Sequence, residues 1–118
     1  VVIAAIAWVG LLLHLVVGVL ALRSTGARPL VAWVNLITAA CVILYWAQRW
    51  YLYLFRGVVW YATDQLVPLY AIAVCVLAAG TLGGRFAATT ANGLVMLLHT
   101  VVFIGAALFL TFFKIKLF

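Results

Sequence analysis

The chain has 118 residues, of which 71% are hydrophobic and only eight are charged: seven Arg or Lys and one acid, Asp64. A soluble domain of this size needs far more charged surface, so the composition excludes that class and points to a bilayer as solvent. The basic residues stand singly at the ends of apolar runs, where phosphate head groups lie, and form no cluster or aromatic-interleaved stripe; nucleic-acid binding is excluded.

The chain opens on Val1 without a Met or a basic n-region, which reads as a segment of a longer protein and not as a signal peptide. The first apolar run covers about residues 1–22 and is interrupted only by His14. It stops in a short polar turn from Arg23 to Pro29, with Gly26 and Pro29 as breakers.

The second span is predicted over about residues 30–50, with Pro29 suited to a helix start. Trp50, Tyr51, Tyr53 and Phe55, between Arg49 and Arg56, form an interfacial aromatic belt, through which the helix either protrudes or tilts. Residues 57–66 are the longest connection and hold Asp64.

A third span is predicted over about residues 67–82, starting near Pro68, and Gly83, Gly84 and Arg85 make the next turn. The fourth covers about residues 87–113 and closes on Lys114 and Lys116 as a basic anchor. The continuous runs exclude barrel strands, which would alternate. The expected fold is therefore an all-α integral membrane protein, a multi-pass antiparallel four-transmembrane-helix bundle forming one domain over 1–118. Three basic residues on one side (Arg23, Arg28, Arg85) against four on the other (Arg49, Arg56, Lys114, Lys116) fix no orientation.

Lipid cannot satisfy a polar side chain, so each polar residue inside a span is turned inward or functional. The candidates are His14, Asn35, Gln48, Arg49, Asn92 and His99. His14 lies eight residues before the end of the first run and His99 twelve after the predicted start of the fourth. At helical rise both stand roughly 12–18 Å below the same surface, able to face each other.

Besides proton chemistry at the imidazoles, two readings of this pair are open. In one, His14 and His99 are metal ligands, holding haem b or flanking a quinone between the first and fourth helices. Gly10 and Gly18, one turn on either side of His14, then give clearance for a flat macrocycle, and Arg23, Arg28 and Arg85 meet the propionates. In the other, the histidines hydrogen-bond between helices or to another subunit, and the glycines only let a helix approach closely. On the fourth helix, Asn92, Met96, His99, Phe103 and Ala106 share a face.

The second helix carries a stripe of Asn35, Thr38, Val42, Tyr45 and Arg49, read as its inward face. Arg49 and Asp64 are candidates for an ion pair, with Arg56 as competitor. Cys41 and Cys75 lie inside apolar runs and read as buried small hydrophobes in preference to a disulfide.

No carboxylate pair, Cys-His-Asp set, phosphate-binding glycine loop or zinc cluster appears, and Ser24 is the sole serine. A proton-coupled exporter would need a carboxylate within a span, and none is predicted there. The expectation is a small subunit of a larger energy-converting or redox membrane complex, with membrane lipids and other membrane subunits as partners. The alternative is a small lipid or lipid-linked-sugar translocase, for which Gln48, Arg49 and Trp50 would supply basic and aromatic interfacial contacts.

Overall fold

A computed structural model describes residues 2–85 and 89–113. It is all-helical: α1 covers Val2–Arg23, a short 3₁₀ turn Thr25–Ala27, α2 Pro29–Arg56, α3 Ala62–Leu82 and α4 Thr89–Phe112. All four α-helices are long and apolar enough to cross a membrane. The predicted start of the fourth span at 87, and Lys114 and Lys116, lie outside the described residues.

Two compact units divide the chain. One consists of α1, the start of α2 as far as Val31, and α4; the other of the rest of α2 with α3.

In the first unit, α1 buries Ala7, Leu11, His14 and Val17, a three- and four-residue spacing that makes one narrow stripe. On α4 the buried residues are Asn92, Met96, His99 and Ala107. Rising numbers on α1 meet falling numbers on α4. Trp8 donates to Thr111, Gly10 faces Phe103, His14 faces His99 and Gly18 faces Met96, so the pair is antiparallel. Ala7, Leu11 and Ala107 form its apolar centre, with Phe103, Ala106 and Leu110 packed against them.

In the second unit, α2 continues past the predicted span end near 50 and carries the aromatic belt as helix to Arg56, the first of the two courses expected for it. Gly57 then takes φ +66°, a left-handed conformation that ends the helix without the cost a side chain would add. The helix α3 begins five residues earlier than the predicted 67, because Asp64 caps it: its carboxylate accepts the Tyr61 N–H at 2.9 Å. Pro68 is thus inside the helix instead of at its start. At the other end the Arg85 N–H reaches the Gly80 carbonyl at 2.8 Å and Gly84 takes φ +72°, closing α3 with a Schellman turn.

The outward faces carry Val9, Leu12, Leu44, Leu66, Leu69, Val102 and many other large apolar side chains, all more than half exposed. Of the two cysteines expected to be buried, Cys41 is exposed and Cys75 half-buried.

Candidate functional site

His14 is the best-defined polar group of the first unit. It is buried to 2% exposure at the middle of α1. Its Nδ1 lies 2.7 Å from the carbonyl of Gly10, one turn back on the same helix. A carbonyl only accepts, so Nδ1 is the donor of this bond, and Nε2 is the ring nitrogen left over. That Nε2 is buried and has no hydrogen-bond partner among the described residues.

The structure brings His99 to this ring. The two imidazole centroids are 6.2 Å apart and the planes are near-perpendicular, at 81°. His99 is also buried, at 8% exposure. The equal depth computed from the sequence is what aligns them across α1 and α4. Phe103 completes the environment, its ring centroid 4.9 Å from that of His14.

The two glycines serve different neighbours. A Cβ on Gly10 would overlap the ring of Phe103, and a Cβ on Gly18 would come within 3.3 Å of the Met96 methyl. The grooves beside His14 therefore hold Phe103 and Met96, the close approach that small residues permit between helices. Of the three arginines expected near the pair, Arg23 is exposed at the end of α1, Arg28 is exposed just before α2, and Arg85 is exposed on the turn after α3, in the other unit.

Spacing between the imidazoles suits a single metal ion. With metal–nitrogen bonds of about 2 Å and ring nitrogens about 1 Å from each centroid, an ion between the rings sets the centroids roughly 6 Å apart. Among the described residues no three His, Cys, Asp or Glu side chains group together as a metal cluster. Any such centre is thus built on two imidazoles and on donors outside that set.

The second unit holds a polar lock. Arg49 pairs with Asp64 at 2.8 Å and also donates to the Val59 carbonyl at 3.0 Å. The expected pairing forms, and the competitor Arg56 stays exposed at the helix end. The indole of Trp46 donates to the Asp64 carbonyl at 2.9 Å. Around these bonds Trp46 packs on Trp50 and Trp60, and Tyr53 on Trp60, with ring centroids 5.4 to 6.3 Å apart.

The inward stripe of α2 differs from the sequence reading at one position. Asn35 is buried and Thr38, Val42 and Arg49 are half-buried, but Tyr45 is 49% exposed. Trp46 takes the inward place, continuing the four-residue step from Val42. Polarity alone was the guide to that face, and it favoured the tyrosine hydroxyl over an indole whose one N–H has a carbonyl to meet.

Comparison with models of known protein families, with curated proteins and with solved structures finds no match.

Proposed function

We propose that the chain crosses a membrane four times as an antiparallel bundle, and that it serves as a small subunit of a larger redox or energy-converting membrane assembly. In this reading His14 and His99 form a ligand-holding centre between α1 and α4. Lipid covers the outward apolar faces, and partner subunits dock on part of them.

One observation carries the proposal: a buried imidazole whose Nδ1 donates to a backbone carbonyl and whose Nε2 has no hydrogen-bond partner among the described residues, beside a second buried imidazole. Leaving such a nitrogen unmatched costs about 1–3 kcal/mol, which a structural histidine would avoid. Locking a ligating ring through a bond from its other nitrogen to a backbone carbonyl is the usual outer support of a metal site.

Haem b is one occupant compatible with the imidazole spacing, and it would supply one-electron chemistry. Its macrocycle requires Phe103 and Met96 to leave the glycine grooves. The translocase alternative drew on Arg49 in the aromatic belt, and Arg49 is held by Asp64 and the Val59 carbonyl.

The test is an absorption spectrum and metal analysis of the purified chain, as isolated and after haem supplementation. A bound chromophore or metal lost on His14→Ala and on His99→Ala is expected. A colourless, metal-free protein that takes up neither would remove the ligand centre.

A further inference from the structure

We propose that His14, His99 and Met96 form a binding site for copper(I). The inference rests on the reading of the two histidines as a ligand centre, and names the ion that their surroundings select.

The donor set is neutral and soft. Two imidazoles and a thioether suit copper(I), whereas magnesium, calcium and manganese want carboxylate or carbonyl oxygens. No Asp or Glu lies on α1 or α4. Removing an ion from water costs a free energy that grows with the square of its charge, so a monovalent ion suits a site with no counter-charge in its own helices.

Geometry agrees. The 6.2 Å between imidazole centroids equals the separation that one ion bound by a nitrogen of each ring would set, once the rings turn those nitrogens toward it. Met96 stands three residues before His99 on the same face of α4, and its methyl reaches across to Gly18, one turn from His14 on α1. A thioether on three rotatable bonds can swing from there to the ion as a third ligand. Gly18 lets it cross: a side chain at that position would crowd the methyl from 3.3 Å. The bond from Nδ1 to Gly10 occupies that nitrogen and fixes the ring, so Nε2 is the atom that meets the ion.

Copper(I) supplied with a reductant in the absence of oxygen, in competition with a bathocuproine chelator, tests the site on the full chain in detergent. Cys41→Ser and Cys75→Ser remove the thiols that would also bind it. One ion per chain is expected. His14→Gln and His99→Gln should each weaken it by more than the about 10–100-fold typical of changes outside the ligand shell. Met96→Leu, which keeps the packing volume, should weaken it about tenfold and delete a sulfur scatterer from the copper X-ray absorption spectrum. Binding unchanged in the glutamine variants would overturn the proposal. So would Met96→Leu with unchanged affinity and spectrum in a protein whose circular-dichroism melt matches the parent. If copper(I) does not bind but haem gives a Soret band that His14→Gln abolishes, the copper site falls and the ligand centre stands. If neither binds, both fall.

Discussion

The indole N–H of Trp46 on α2 donates to the backbone carbonyl of Asp64 on α3, the carbonyl that Pro68 leaves without its helical donor. In an α-helix the residue at 68 would supply the N–H to residue 64, and proline has none. The tryptophan replaces it from the neighbouring helix at 2.9 Å. Pro68 is therefore accommodated inside α3 by a residue twenty-two positions earlier.

Trp46→Phe should destabilise the protein by about 1–3 kcal/mol, since it strands a carbonyl. In a Pro68→Ala background, where the helical N–H is restored, the same change should cost clearly less. Denaturant or detergent unfolding of the four variants measures the coupling, and strict additivity would sink the explanation.

Arg49→Ala should lower folded yield and thermal stability more than Arg56→Ala or Arg85→Ala. Arg49 holds Asp64 and Val59 together, and its loss leaves the Asp64 carboxylate only the Tyr61 N–H among its hydrogen bonds described above. Arg56 and Arg85 are exposed at helix ends. Equal loss in all three would show that the lock contributes nothing.

Gly10→Ala should cost about 1–3 kcal/mol because the added methyl overlaps the Phe103 ring, while Gly18→Ala should cost little, since the flexible Met96 methyl can shift. Phe103→Leu should rescue part of the Gly10→Ala loss by making room. Thermal melts of the single and double variants decide it. A Gly10→Ala protein as stable as the parent would mean that Phe103 repacks freely.

Single cysteines at Thr25, Gly57 and Gly84, in a chain cleared of Cys41 and Cys75, test the proposed topology. All three positions are exposed. An impermeant thiol reagent should label Thr25 and Gly84 from one side and Gly57 from the other. Any other partition removes the four-span bundle.

Much of this was legible in the residues. Apolar runs bounded by Gly26, Pro29, Gly57 and Gly84 located all four helices, and helical rise alone put His14 and His99 at one depth. The start of α3 was not legible, because Tyr61 is no usual cap and Pro68 is a familiar helix opener. Only Asp64, folded back to the Tyr61 N–H, and Trp46, supplied from α2, make the earlier start favourable. Nor does spacing reveal that Phe103 fills the groove at Gly10. A glycine reports that room exists beside it, and which side chain takes that room depends on the register of α1 against α4.

The lock between α2 and α3 also bears on the order in which the chain is made. Trp46 and Arg49 leave the ribosome before Asp64 and Pro68 do. The one acid of the sequence thus emerges with its cation and its replacement indole donor already synthesised, separated from them by the end of α2 and the short segment from Gly57. A nascent chain delivering α2 and α3 as a hairpin would present the lipid with a closed polar end. A chain inserting α3 alone would expose both a carboxylate and a stranded carbonyl.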